Sequence, residues 1–173
     1  YLGYGAAKTM RIAQQLYEGI SIAGEQRGLI TYMRTDSTRV SMDAINMAKE
    51  YITSRYGKEY LGYYVQKKAA GNVQDAHEGI RPSDINLDPE EIRQYLSNEQ
   101  YKLYKLIWNR FLVSQFAAMK YEQMQINAHN GEYGFRGTIN RVIFDGYYKV
   151  FKEEDEIKTG DFPLLNEGDI YPI

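Results

Sequence analysis

The hydrophobic pattern of this chain changes period once. In the first two thirds, apolar residues recur at helical spacing. Ala6, Met10, Ala13 and Tyr17 predict a helix over 6–17, with Gly19 placed to end it. A loop containing Gly24 and Gly28 follows. Leu29-Ile30-Thr31-Tyr32-Met33 is a short β-prone run that leaves through the polar turn Arg34-Thr35-Asp36-Ser37. Ser41 is placed as the N-cap of a helix over 42–56 with the stripe Ala44, Ile45, Ala48, Ile52 and Tyr56, and Gly57 ends it. Residues 62–75 are polar and predict a loop. Asp88-Pro89-Glu90-Glu91 combines a cap, a first-turn proline and a capping-box spacing, and predicts a helix start. Ser97-Asn98-Glu99-Gln100 opens a further helix to about residue 116, carrying Tyr101, Tyr104, Ile107, Trp108 and Phe111 on one stripe with Trp108 buried.

Beyond that point the period becomes two. Met124, Ile126 and Ala128 alternate with polar residues, Asn130-Gly131 signals a hairpin turn, and the partner strand falls near 133–139. Val142-Ile143-Phe144 follows, then the turn Asp145-Gly146, the run 147–151, and a last strand after Glu167-Gly168-Asp169. The fold class this predicts is α+β. A helical domain over 1–118 has one short strand bearing Tyr32, and a smaller antiparallel β unit covers 119–173. No internal repeat is visible.

Composition narrows the function classes. The 173 residues are 43% hydrophobic and 25% charged, near the average of globular domains, which argues against disorder and allows a sizeable core. No apolar run approaches the roughly 18 residues of a membrane helix, so no membrane partner is expected. There is no cysteine, which excludes disulfides and thiolate metal sites. The two histidines lie 52 positions apart, which argues against a His-based metal centre. The acidic run Glu153-Glu154-Asp155-Glu156 reads as a solvated turn rather than a metal site. Net charge is −2 but uneven: 11 Lys/Arg against 8 Asp/Glu over 1–81, 8 against 8 over 82–150, and 2 against 7 over 151–173. A polyanion would meet the first half. The chain opens on Tyr1 rather than Met and closes on a strand-like Ile170-Tyr171-Pro172-Ile173, and the expectation is a piece of a longer protein.

Two segments carry candidate chemistry. On an extended run, residues two apart share a side, so Arg34 lies on the side of the Tyr32 hydroxyl and Thr31 and Met33 lie opposite. A tyrosine has a pKa of about 10, and making its phenolate at neutral pH costs roughly 4 kcal/mol. A neighbouring guanidinium lowers that cost, and it can also bind a phosphate and stabilise a pentacoordinate transition state. Tyr32 with Arg34 is therefore a kit for phosphoryl transfer with tyrosine as covalent nucleophile, although Tyr-x-Arg also occurs by chance. The second segment is Ala76-His77-Glu78-Gly79-Ile80-Arg81-Pro82-Ser83, where His77 and Arg81 can both donate to phosphate oxygens and Pro82 holds Arg81 extended. Spacing alone leaves a solvated surface loop as the other reading.

Together the two segments resemble a known family. Gly28-Leu29-Ile30-Thr31-Tyr32-Met33-Arg34-Thr35-Asp36-Ser37 resembles the active-site tyrosine segment of the type IA DNA topoisomerases, in the form found in bacterial topoisomerase I. The stretch 76–82 resembles a second block of that family, the helix Lys8–Glu18 the one before the tyrosine, and Phe144-Asp145-Gly146-Tyr147 a later block. The resemblance spans the chain in order.

This resemblance implies relaxation of negatively supercoiled DNA without ATP, through cleavage of one strand, a 5′-phosphotyrosine and strand passage. It places Tyr32 as nucleophile, Arg34 on the scissile phosphate and His77 near the same phosphate. Arg81, Asp36, Thr35 and Lys8 follow as DNA contacts. Asp36 has a rival role as cap of its turn, and Glu78 is placed to orient His77. The implied partners are a single-stranded segment of DNA and the remaining domains of the same polypeptide, including a toprim domain. The cofactor of that longer enzyme would be Mg2+, held by the toprim domain, and no cofactor is expected on this fragment. The β unit would be part of a hinge domain with an incomplete sheet. The implied location is the bacterial cytoplasm, at the nucleoid, and the fragment alone is expected to be inactive. Two other classes compete: a phosphate-gripping module without catalysis and a tyrosine-rich protein-interaction domain.

Overall fold

In the computed structural model, which describes residues 1–63, 78–151 and 160–170, the first apolar stripe becomes α1 (Ala6–Glu18), burying Ile12, Ala13 and Leu16. Gly19 ends it at φ 117°, its N–H donating to the Gln15 carbonyl. Two three-residue strands follow, β1 (Ile20–Ile22) and β2 (Glu25–Arg27), paired antiparallel. The turn between them has positive φ at both Ala23 (51°) and Gly24 (90°), the signs of a type I′ turn. The sequence pattern predicts only a loop here, because three residues are too few to display a period.

α2 (Met42–Arg55) begins where the pattern predicts, with the Ser41 hydroxyl accepting from the Ala44 N–H at 3.3 Å. α3 (Asn98–Ser114) carries the full capping box, Ser97 and Gln100 each satisfying the other's backbone N–H. Leu16, Ile45, Ala48, Ile52, Tyr104 and Leu112 form the fully buried centre. Trp108 is buried as expected, and its indole N–H donates to the Ile85 carbonyl at 3.0 Å, which removes the cost of burying that donor.

Further expectations differ from the structure. Asp88-Pro89-Glu90-Glu91 opens no α-helix. The Asp88 carboxylate accepts from the Glu90 N–H at 2.9 Å and the Asp88 carbonyl from the Ile92 N–H at 3.1 Å, making one turn that passes into a 3-10 turn at Arg93–Tyr95. The helix is cut short because Ile92 is drawn into the core and Ser97 must already cap α3. Likewise Leu29–Met33 is not a strand of a sheet: its ladder is a single bridge, Ile30 to Pro82. The bridge is flanked by the bonds Thr31 N–H to the Arg81 carbonyl and Ser83 N–H to the Leu29 carbonyl, and the chain bends at Met33 and Arg34.

The chain divides into two compact units, Tyr1–Ala117 and Ala118–Ile173. The second holds a long antiparallel hairpin of β3 (Lys120–Asn130) and β4 (Tyr133–Phe144). Its two-residue turn is Gly131-Glu132, with Gly131 at φ 60°. Met124 faces Ile139 and Ala128 faces Phe135 on one side, while Gln123–Asn140 and Asn127–Arg136 occupy the other. β4 is longer than the sequence pattern indicates and absorbs Val142-Ile143-Phe144, with a register shift between Lys120 and Tyr121. The run after Gly146 is a 3-10 helix, Gly146–Val150, rather than a strand. The expected last strand and the acidic run 153–156 fall mainly or wholly outside the described residues.

Three tyrosines stabilise the turn at 84–92. Tyr104 donates to the Leu87 carbonyl at 2.7 Å, Tyr51 to Asp88 at 3.1 Å, and Tyr101 to Glu90. Burial pushes the hydroxyl pKa values of all three up, and the carboxylate beside Tyr51 and that beside Tyr101 add to the rise. The Tyr101 hydrogen bond in turn holds the Glu90 carboxyl below its usual range, helped by Lys105. A depressed carboxyl stabilises the fold above its ordinary pKa, and that contribution is lost as pH falls through the folded value.

Leu16→Ala should cost about 2–5 kcal/mol in urea unfolding, against about 1 kcal/mol for the cap removal Ser97→Ala. In Tyr101→Phe, an NMR titration of the Glu90 side chain should show its midpoint rising toward the ordinary carboxylate range.

Candidate active site

Residues 28–31 are held from two sides. On one side the Leu29 N–H donates to the Leu16 carbonyl at the end of α1, at 2.7 Å. On the other, the Thr31 N–H donates to the Arg81 carbonyl at 2.9 Å and the Ser83 N–H to the Leu29 carbonyl at 3.0 Å. The Thr31 hydroxyl joins the same partner, donating to the Gly79 carbonyl at 2.9 Å and accepting from the Arg81 N–H at 3.0 Å. Gly79 also donates to the Arg39 carbonyl at 2.7 Å, so the 79–83 segment ties both ends of the 29–39 stretch.

This clamp sets an alternation that runs past the single bridge. Tyr32, Arg34, Asp36 and Thr38 are exposed, while Thr31, Met33, Thr35, Ser37 and Arg39 are partly or fully buried. Met33 faces an apolar groove of about 320 Å³ that it lines with Met10, Ala13, Ile80, Leu103 and Ile107. Tyr32 is 41% exposed, and its hydroxyl has no hydrogen-bond partner among the described residues. Arg34 has no carboxylate partner among them either. The polar turn beyond is capped by Thr35 and Ser37, whose hydroxyls accept from the N–H groups of Ser37 (3.0 Å) and Arg39 (3.2 Å). Asp36 makes no such cap and stays outward.

The second segment is arranged differently. Glu78 pairs with Arg81, at 2.9 Å to Nε and 2.6 Å to Nη2. The rest of the guanidinium donates to the Pro82 carbonyl at 2.9 Å and the Ser41 hydroxyl at 3.4 Å. Arg81 is thus largely committed to internal acceptors and ties the 78–83 segment to the start of α2. Glu78 was expected to face His77; its described partner is Arg81, and His77 lies outside the described residues. Lys8 is paired with Glu99 and lies over the Tyr4 ring at 4.5 Å. The i, i+3 spacing of Glu78 and Arg81 is the signal that anticipates their pairing. Nothing in the local sequence announces the Thr31 contacts, which join residues about 50 positions apart.

Among the described residues no three His, Cys, Asp or Glu side chains come together as metal ligands, so they do not fit a Mg2+ site. No helix among them is long and apolar enough to cross a membrane.

A family described as DNA topoisomerase matches residues 1–173. The chain belongs to the DNA topoisomerase family. DNA topoisomerase 1 of Thermotoga maritima is 46% identical over 99% of this chain, and that of Fervidobacterium islandicum 44% identical over 90%. The solved full-length topoisomerase I of Thermotoga maritima superposes with a TM-score of 0.82 at 45% identity over 97% of the chain. This topoisomerase chain spans about a quarter of the length of those relatives.

The clamp makes Gly28 sensitive to substitution. A Cβ there would stand 2.8 Å from the Tyr17 carbonyl oxygen, a backbone atom that cannot rotate away. Gly28→Ala should destabilise the chain by about 1–3 kcal/mol in urea unfolding. It should also weaken the NOEs between the end of α1 and residues 29–32.

Proposed function

We propose that this chain is the tyrosine-bearing part of a type IA DNA topoisomerase that relaxes negatively supercoiled DNA without ATP. The observation that carries the reading is an exposed Tyr32 with no hydrogen-bond partner among the described residues, two positions from an exposed Arg34, on a backbone clamped from both sides, in a chain of the topoisomerase family. Tyr51, Tyr101 and Tyr104 have hydroxyls bonded within the fold and pKa values raised by burial, which suits them to structure rather than attack.

In this reading the Tyr32 oxygen attacks the phosphorus of one DNA strand. A 5′-phosphotyrosine bond forms, the bond to the 3′ oxygen breaks, the phenol gives up its proton, and the departing 3′ oxygen takes one up. Resealing is the reverse attack by the 3′ hydroxyl after the other strand has passed. Arg34 binds the scissile phosphate and stabilises the charge that builds on its oxygens. His77 contacts the same phosphate. Arg81, Asp36, Thr35 and Lys8 serve as secondary DNA contacts, with Arg81 and Lys8 already drawn to Glu78 and Glu99. Residues 1–118 act as the tyrosine domain and 119–173 as part of a hinge. The toprim domain and its Mg2+ belong to the rest of a longer polypeptide in the bacterial cytoplasm.

The chain alone should not relax a supercoiled plasmid. A chimaera in which residues 1–173 replace the matching stretch of the Thermotoga maritima enzyme should relax it and form a covalent adduct with single-stranded oligonucleotides, seen on a denaturing gel. Tyr32→Phe in that chimaera should abolish the adduct, and an adduct that persists would refute the nucleophile assignment. Arg34→Ala should slow adduct formation by about 10²–10³-fold, the usual loss when a transition-state donor is removed.

A further inference from the structure

The backbone under Tyr32 is clamped, but its side chain is not. The hydroxyl has no hydrogen-bond partner among the described residues, and the ring is 41% exposed. Among the described residues that ring makes one aromatic contact. Tyr17, in the last turn of α1, meets it edge to face, with centroids 5.3 Å apart and planes at 66°. This is the arrangement in which the positive edge of one ring faces the negative face of the other.

Tyr17 is itself placed by the same clamp. The preceding carbonyl, Leu16, receives the Leu29 N–H at 2.7 Å, and the Tyr17 carbonyl lies so near Gly28 that no Cβ fits between them. Gly19 ends the helix immediately beyond. The backbones of the end of α1 and of the tyrosine segment are therefore tied together, which sets the Tyr17 ring beside Tyr32.

We propose that Tyr17 is a positioning residue for the nucleophile: its ring limits the Tyr32 side chain to the rotamer that keeps this edge-to-face contact and leaves the hydroxyl unbonded. The inference rests on the reading of Tyr32 as nucleophile. Restricting a nucleophile to its productive rotamer raises the rate of attack without adding a contact to DNA. Ring shape is what matters, so phenylalanine at 17 suffices and a small residue does not. Tyr17 occupies a surface position, 41% exposed, so its truncation leaves the core centre of Leu16, Ile45 and Ile52 untouched.

The first test is made on the 173-residue chain. Side-chain couplings that report Tyr32 χ1 should indicate one dominant rotamer in the parent and in Tyr17→Phe, and averaging in Tyr17→Ala. The second uses the chimaera described above and follows single-turnover adduct formation. Tyr17→Ala should be about three- to tenfold slower at saturating oligonucleotide, with unchanged half-saturation, and Tyr17→Phe within about twofold of the parent. Tyr32 couplings that ignore Tyr17→Ala, or a Phe variant as slow as the Ala variant, would overturn the inference. If Tyr32→Phe abolishes the adduct while Tyr17→Ala leaves its rate unchanged, positioning fails and the nucleophile stands. An adduct surviving in Tyr32→Phe removes the nucleophile, and positioning with it.

Discussion

The pairing of residues 28–31 with two distant backbones is the constraint on which the site depends. A buried extended segment must satisfy its N–H and C=O groups, or each costs about 1–3 kcal/mol. Here the partners are the carbonyl of Leu16 at the end of α1 and the backbone of 79–83, with Thr31 contributing its hydroxyl as well. Because Leu29, Ile30 and Met33 are buried by this arrangement, Tyr32 and Arg34 are turned outward. The packing leaves the Tyr32 side chain exposed on a backbone hydrogen-bonded on both sides.

The same economy divides the charged and phenolic groups of the first unit. Tyr51, Tyr101 and Tyr104 have hydroxyls bonded to Asp88, Glu90 and the Leu87 carbonyl, which fasten the turn before α3. Arg81, Arg55 and Lys8 are drawn to carboxylates. Arg34 sits beyond reach of any carboxylate among the described residues, so its charge faces solvent, where a phosphate can meet it. Two arginines of similar sequence appeal thus differ in kind. Arg81 organises the backbone that supports the site, and Arg34 presents a charge.

The second unit has less to bury. A two-stranded ribbon is marginal by itself in water, and β3 and β4 form a sheet of two. Its apolar side, with Met124, Ile126, Ile139 and Phe135, is only half covered or exposed. Part of it is met by the chain beyond: Gly160 lies against Ile139 and Phe162 lies under Arg141, 4.7 Å away.

Much of this was determined by the sequence itself. The helices α1, α2 and α3 follow from apolar spacing, and Ser41 and Ser97 cap them as their local residues dictate. The Asn130-Gly131 signal marks the hairpin, though the turn settles on Gly131-Glu132. The alternation of exposed and buried residues over 31–34 follows the apolar and polar pattern of those residues. These are local properties, set by caps, turns and short-range periodicity. The tertiary structure decided the rest. It reduced the Asp88 helix to a turn because Ile92 and Ser97 were wanted elsewhere, and the tyrosine strand to one bridge, the chain bending at Met33 and Arg34. It also committed Arg81 inward and set Tyr17 against Tyr32. Each of those outcomes depends on residues far apart in the chain competing for the same space or the same hydrogen bond, and no local pattern carries that information.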